Sequence, residues 1–264
     1  MENALDKTAQ SKIALSVNAM TQNLLSTKNL PVRERLIFAL DVSSRSEAEK
    51  IVDELGESVI FYKLGLELFM AGGYFELVDW LIARGKKVFV DLKFFDVPET
   101  VRSAVRQLKT RQVSFATVHG NDAILSAAAS EKGELKILAV TVLTSLDRAD
   151  LEALGFKCDV KDLVLSRAKR ALQLGCDGVI SSGLEAAKLR ADLGDNFLIV
   201  TPGIRPVDND VIDDVIDDQK RIVTVENAFR NGADYIVVGR PIKNAPDRRA
   251  AAEDIQRRIS ALFQ

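Results

Sequence analysis

Short runs of β-branched and aromatic residues alternate with longer amphipathic segments from about residue 36 onward. Runs that are apolar at nearly every position are typical of strands buried on both faces, as in a parallel sheet. We predict eight strands, at residues 36–42, 59–65, 87–93, 115–120, 136–143, 177–183, 197–203 and 235–241.

The segments between these runs predict crossover helices. Their apolar positions recur with the helical period, and several end in glycine, where a left-handed C-cap is common. Eight strand–helix pairs whose strands are too apolar for a solvated face indicate an α/β fold, the (β/α)8 TIM barrel, as a single domain. An open doubly wound sheet is the alternative. It usually has fewer strands and often a glycine-rich first turn, and the sequence contains neither GxGxxG nor GxxxxGK(S/T).

The first part of the chain differs in composition from the rest. Residues 1–33 are rich in Ser, Asn, Gln and Thr and have only a weak apolar period. Such segments bury too little apolar surface to order themselves. We therefore predict a mobile or loosely docked extension at 1–33 and a barrel domain at 34–264.

The overall composition excludes some classes of function. The 264 residues are 47% hydrophobic and 28% charged, with a formal net charge of -2, so no general attraction to nucleic acid or anionic lipid is expected. Two cysteines without CxxC spacing suit a reducing compartment. The chain has no apolar run of transmembrane length and no basic and apolar leader at its start. We expect a cytoplasmic protein.

Charged residues occur at the ends of the first three predicted strands. Asp41 ends the first, Lys63 the second, and Asp91 and Lys93 the third. In this architecture the carboxyl ends of the strands form the active-site face. Buried charge is costly unless it is paired, so structural needs rarely produce four such groups together. We favour a catalytic array over a rim of structural ion pairs.

Asp96 follows the third strand, just before Val97 and Pro98. Spacing alone does not decide its direction. It is either a further member of the array or a cap of the helix that begins near Glu99.

A second group of residues follows the last two predicted strands. TPGIRP ends strand seven and VVGRP ends strand eight. Loops in these places often bind phosphate. Gly203 and Gly239 allow close approach of the backbone, and Arg205 and Arg240 supply forked donors. We predict a phosphate site.

Two further residues are weaker candidates for ligand contacts. Thr144 lies at the end of strand five, where a hydroxyl suits a polar ring or amide. Gln219 lies in an acidic stretch at 208–221 that lacks the glycine and terminal glutamate of a calcium loop. We interpret residues 207–220 as a solvated lid.

Several motifs, in order, resemble the orotidine 5′-phosphate decarboxylase family of the bacterial type. They are FALDVSS, YKLGLELFMAGG, DLKFFDVPETV, ATVHG, VTVLTS, TPGIRP with DDQKR, and ADYIVVGRP. The resemblance covers nearly all of residues 36–249, and the DLKFFD core is its most specific part. It implies cofactor-independent decarboxylation of orotidine 5′-monophosphate to uridine 5′-monophosphate, the last step of pyrimidine nucleotide synthesis, by a homodimer without metal or organic cofactor.

The resemblance also implies a role for each matching residue. Lys93 would be the catalytic lysine and proton donor, Asp91 the acid facing the substrate carboxyl, and Asp96 an acid contributed across the dimer interface. Lys63 would complete the charge network, and Asp41 would contact the ribose. Substrate binding is implied for Lys63 as well, and for Thr100, Thr144, Arg205, Gln219, Gly239 and Arg240.

Two alternatives remain at this stage. A related barrel family of magnesium-dependent sugar-phosphate decarboxylases and aldolases also has an acid, a lysine and an acid after strand three. Its second strand ends in a metal-binding glutamate, whereas Lys63 stands here, and an ammonium cannot ligate a metal. A non-catalytic phosphate sensor would use Arg205 and Arg240 but has no need of the charged array.

Overall fold

The computed structural model describes residues 24–205 and 222–264. In that part of the chain eight parallel strands follow one another around a closed barrel, which confirms the predicted fold. The strands are β1 (Leu36–Ala39), β2 (Phe61–Leu64), β3 (Lys87–Phe94), β4 (Phe115–Val118), β5 (Lys136–Val140), β6 (Gly178–Ile180), β7 (Leu198–Thr201) and β8 (Tyr235–Val238).

Helices cover the outside of the barrel. Several begin at a polar residue whose side chain accepts a hydrogen bond from the backbone amide three positions later, as Ser44, Asn121 and Thr224 do. The helices are α1 (Arg45–Leu55), α2 (Leu66–Ala71), α3 (Tyr74–Ala83), α4 (Pro98–Lys109), α5 (Asp122–Glu131), α6 (Arg148–Ala153), α7 (Val160–Gln173), α8 (Ala186–Leu193), α9 (Val225–Arg230), α10 (Arg240–Lys243) and α11 (Arg248–Ser260). None of these helices is long and apolar enough to cross a bilayer.

Alternate residues of each strand face the inside of the barrel and the surrounding helices. The inner face holds a compact apolar cluster in which the Phe115 ring packs against the rings of Phe61 and Tyr235, with centroids 5.0 and 5.1 Å apart. The buried members of this inner cluster are Ile37, Ala39, Phe61, Phe89, Phe115, Leu138, Val200, Tyr235 and Val237. The lower barrel is therefore filled, and a ligand can enter only above this cluster, at the carboxyl ends of the strands.

A buried carboxylate connects the start of the described chain to the other end of the barrel. Asp234 is fully buried and pairs with Arg190, with Nη2 2.6 Å from Oδ2. Lys28 Nζ and the Ser26 hydroxyl also donate to Asp234, at 3.0 and 2.5 Å. Leu30 packs against the inner cluster. Because residues 1–23 lie outside the described residues, the division into an extension at 1–33 and a barrel at 34–264 stays a prediction.

Candidate active site

The inner face of the barrel changes from apolar to charged along three neighbouring strands. Two positions beyond the inner-cluster residues of β1, β2 and β3 stand Asp41, Lys63 and Asp91. The strand register pairs Lys63 with Ala39 on one side and with Phe89 on the other. Lys63 therefore lies between the two strands that lead to the carboxylates. The two-residue period that fills the barrel with apolar side chains also directs these charges into its mouth.

Four side chains form an array of alternating charge, the charged array. Lys63 Nζ lies 3.2 Å from Asp41 Oδ1 and 3.4 Å from Asp91 Oδ2. Lys93 Nζ lies 3.0 Å from Asp91 Oδ1. The side chains of Lys63 and Asp91 are 13% and 12% exposed, whereas those of Lys93 and Asp41 are 35% and 49% exposed. A ligand can therefore reach both ends of the array while its centre stays shielded.

Lys93 has an unusual backbone conformation. Its φ is 49°, in the left-handed region that non-glycine residues seldom occupy, and the register of β3 against β4 shifts between Val90 and Phe94. Thr117 on β4 stabilises this arrangement, because its hydroxyl accepts from the Lys93 amide at 2.9 Å and donates to Asp91 Oδ1 at 2.8 Å. Thr117 is fully buried. Sequence reasoning missed Thr117, since threonine is common in strands and only its position across the β3–β4 pair reveals its partners.

The charges of the array hold one another ionised. Burial alone would raise the pKa of the Asp91 carboxyl, but Lys63 and Lys93 and the hydrogen bonds from Lys93 and Thr117 hold that pKa below its ordinary value. Burial alone would lower the pKa of the Lys63 ammonium, but Asp91 and Asp41 raise that pKa above its ordinary value. The shielded centre of the array, Lys63 and Asp91, is thus a fixed pair of opposite charges.

The lowered pKa of Asp91 predicts how stability depends on pH. Its stabilising effect is fully present above the ordinary carboxyl pKa of about 3.9 and is lost as the pH falls through the lower folded-state value. We expect Asp91→Asn to reduce the free energy of unfolding by about 3 kcal/mol at pH 7, because two ammonium groups lose their shared partner. Below about pH 4 the difference from the unsubstituted protein should shrink.

Urea unfolding at both pH values measures this effect. Asp79→Asn is a suitable control, because Asp79 pairs with Arg111 on the exposed surface, where its side chain is 58% exposed. We expect it to change stability by less than about 1 kcal/mol at either pH. An Asp91→Asn penalty that is equal at both pH values would contradict the ionised pairing described above.

The charged array lines one wall of a cavity of about 330 Å³ at the carboxyl ends of the strands. The opposite wall is formed after β7 and β8. Gly203 there has φ 77°, and a Cβ at Gly239 would lie 3.4 Å from the Ala39 Cβ. The predicted site residues that line this cavity are Asp41, Lys63, Asp91, Lys93, Thr144, Arg205, Gly239 and Arg240.

Among the described residues, two predicted site residues do not line the cavity, Thr100 and Asp96. Gln219 and the proposed lid lie outside the described residues. Thr100 is exposed on the first turn of α4. Asp96 is also exposed, and its carboxylate accepts a hydrogen bond from the Val97 amide at 2.6 Å. It does not cap α4, because that helix begins at Pro98 with Val97 as the N-cap and without a side-chain cap bond.

Several large apolar side chains are exposed in the segments that follow β2 and β3, and we call them the apolar rim. The rim comprises Leu66 and Met70 on α2 and Phe95 and Val97 after β3, which are 57%, 79%, 69% and 64% exposed. Asp96 lies in the chain between two of them. Phe69 on α2 is also 42% exposed, although its place on an apolar helical face favours a core position. Exposed apolar side chains of this size mark an interaction site where they form one patch.

Charged groups at the ends of β1 to β3, facing arginines that follow β7 and β8, define a class of (β/α)8-barrel enzymes. A model of the orotidine 5′-phosphate decarboxylase / HUMPS family matches residues 34–255. The chain belongs to this family.

Individual relatives agree with this assignment. The orotidine 5′-phosphate decarboxylase of Methylococcus capsulatus is 63% identical over 241 residues, which are 91% of this chain and 98% of the relative. That of Stenotrophomonas maltophilia is 50% identical and covers 90% of this chain and 98% of its own. The crystal structure of the Lactobacillus acidophilus decarboxylase superimposes with a TM-score of 0.76 at 36% identity, covering 86% of this chain and 99% of the other. The resemblance and the enzyme class that it implied are confirmed.

Proposed function

We propose that this chain catalyses the cofactor-independent decarboxylation of orotidine 5′-monophosphate, with Lys93 as the proton donor. The observation that carries the proposal is the charged array, which presents the Lys93 ammonium to the cavity from a position fixed by Asp91. The family assignment and the 63% identical relative support the same reaction.

The reaction explains why a fixed ammonium is needed. The bond between carbon 6 of the pyrimidine and the carboxylate breaks, carbon dioxide leaves, and the electron pair stays in the ring plane on carbon 6. Conjugation into the π system cannot accept a pair in that plane, so an external positive charge must stabilise it. Lys93 supplies this charge and then its proton, which forms the new bond to carbon 6.

Asp91 holds the Lys93 ammonium in a fixed direction. The Asp91 carboxylate accepts from the Lys93 ammonium at 3.0 Å, and a second hydrogen bond, from the Thr117 hydroxyl, fixes the carboxylate in place. Without this pairing, the long side chain of Lys93 would lose rotamer freedom during the step to the transition state, which would raise the barrier. The array makes this ordering part of folding, before the substrate binds.

The far wall of the cavity suits the phosphate. Arg205 and Arg240 line it together with Gly203 and Gly239. Guanidinium groups bind phosphate through two parallel hydrogen bonds, and glycine allows the oxygens to approach the backbone. Enzymes lower barriers by about 8 to 23 kcal/mol, more than one ion pair supplies, so binding energy at a remote phosphate is a second source. We propose that Gln219 also contacts the phosphate.

We infer that the active unit is a homodimer in which Asp96 completes the partner's site. Asp96 does not line the cavity of its own subunit, and it lies in the chain between Phe95 and Val97 of the apolar rim. A second copy that covers this rim would bury Leu66, Met70 and Phe95 and bring Asp96 against the neighbouring mouth. Thr100, one turn into α4, would come with it.

The position of Lys63 disfavours the magnesium-dependent alternative. Its ammonium lies between Asp41 and Asp91, within 3.4 Å of both, where a cation would have to bind. Within the described residues no group of three or more His, Cys, Asp or Glu is arranged to hold a metal.

The absorbance change on consumption of orotidine 5′-monophosphate tests the proposal directly. We expect turnover by the purified protein at an unchanged rate after dialysis against a chelator. A rate that chelation abolishes and magnesium restores would favour the alternative, and a protein that does not consume the nucleotide would refute the proposed reaction.

A further inference from the structure

A short helix connects the charged array to the cavity wall that holds Arg205 and Arg240, the arginine wall. Helix α10 begins directly after Gly239, and its first residue, Arg240, lines the cavity. Its last residue, Lys243, points toward β1, where Nζ donates to the main-chain oxygen of Asp41 at 2.5 Å. The two ends of one helical turn thus reach opposite parts of the site.

The backbone of Lys243 is fixed by a hydrogen bond on the side away from the cavity. Its carbonyl oxygen accepts a hydrogen bond from Arg248 Nε at 2.8 Å, and Arg248 Nη1 pairs with Glu54 Oε2 on α1 at 2.8 Å. The backbone of Lys243 is therefore tied to the outer helices while its side chain spans to Asp41. This arrangement directs the ammonium inward rather than into solvent.

Asp41 needs such support because it lies beyond the end of β1, which stops at Ala39. Its carboxylate is oriented by Lys63 at 3.2 Å, and it fits closely against Gly65, where a Cβ would come within 3.3 Å of Oδ1. Its main-chain oxygen is oriented by Lys243. Hydrogen bonds from a charged donor are about twice as strong as neutral ones, so Lys243 is a strong constraint on this residue.

We propose that Lys243 is a positioning residue that couples the phosphate-binding wall to the carboxylate of Asp41. The inference rests on the proposed function and extends it to a residue that lines no part of the cavity. When a phosphate contacts Arg240, it orders α10, and α10 in turn fixes Lys243 against Asp41. A remote part of the substrate thereby helps to align the charged array, which is how binding energy far from the reacting atoms contributes to the rate.

Two substrates and two backgrounds test this coupling. Lys243→Met keeps the length of the side chain and removes the donor. We expect it to lower kcat/KM for orotidine 5′-monophosphate about 10- to 100-fold, the effect of one charged hydrogen bond. For the phosphate-free nucleoside orotidine, assayed at high enzyme concentration, the same substitution should lower kcat/KM less than about threefold, because nothing orders α10 in that complex.

The Asp41→Asn background is the second test. There, the loss of kcat/KM for the nucleotide that Lys243→Met causes should also shrink to about threefold or less. Lys243→Arg should restore most of the rate.

Lys86→Met is the matched control. Lys86 is a buried lysine that donates to the main-chain oxygen of Gly56 at 2.7 Å, at the opposite end of the barrel. It should lower thermal stability without changing the ratio of the two kcat/KM values. Equal losses with nucleotide and nucleoside, or an undiminished loss in the Asp41→Asn background, would overturn the coupling. An unsubstituted protein that does not consume the nucleotide would refute the proposed function instead.

Discussion

Lys93→Ala is expected to lower kcat by at least about 10⁴-fold, because it removes both the charge that stabilises the carbanion and the proton that quenches it. Binding of the product nucleotide should persist, since the arginine wall is untouched. Single-turnover measurements and titration with uridine 5′-monophosphate separate the two effects. The substitution also removes one of the two ammonium partners of Asp91.

Lys87→Ala is the control on the same strand. Lys87 begins β3 at the opposite end of the barrel, where Nζ pairs with Glu34 Oε2 at 2.5 Å. This pair is partly exposed and is worth about 1 kcal/mol or less. We expect the Lys87→Ala protein to keep its kcat. Turnover by Lys93→Ala within about tenfold of the unsubstituted rate would exclude Lys93 as the donor.

Mixing two inactive variants is expected to restore activity. If Asp96 acts in the partner's site, a dimer of one Lys93→Ala subunit and one Asp96→Ala subunit contains one site with both residues. After subunit exchange at equal concentrations, half of the dimers are mixed, so about one quarter of the full rate should return. The rate should rise with the time course of exchange, which dilution experiments measure independently.

The matched control mixes Lys93→Ala with Asp91→Ala. Both residues belong to the site of their own subunit, where Nζ and Oδ1 are 3.0 Å apart, so no mixed dimer has a complete site. We expect no recovery from this pair. Recovery from neither mixture, despite demonstrated exchange, would show that Asp96 is not shared.

The sequence predicts the order and number of the strands well, but not their ends. The apolar run that predicted a strand at 136–143 continues past the last residue of β5, Val140. Val142 and Leu143 line the cavity beyond the end of β5, and Val142 also packs in the main core cluster. Where a strand leads into a site, apolar residues can line the cavity or pack in the core without belonging to the strand.

The charged array was predictable because the two-residue period of a strand carries over into the mouth. Lys93 shows the limit of that reasoning. Its position two residues after Asp91 predicted a shared face, and both side chains do line the cavity. Lys93 itself, however, has a left-handed backbone, and the register of β3 against β4 shifts between Val90 and Phe94, which no local pattern in the sequence indicates. Phe69 shows a second limit, because an apolar helical face predicts burial without indicating whether the same chain or a partner buries it.

The left-handed backbone of Lys93 suggests a trade-off between heat resistance and catalytic power. A non-glycine residue in this conformation is destabilised by about 1–2 kcal/mol, a strain that glycine would relieve. A search for thermostable variants that ignored activity would therefore favour glycine at the position where the proposed reaction needs lysine. Heat resistance and turnover would then select different residues at this turn.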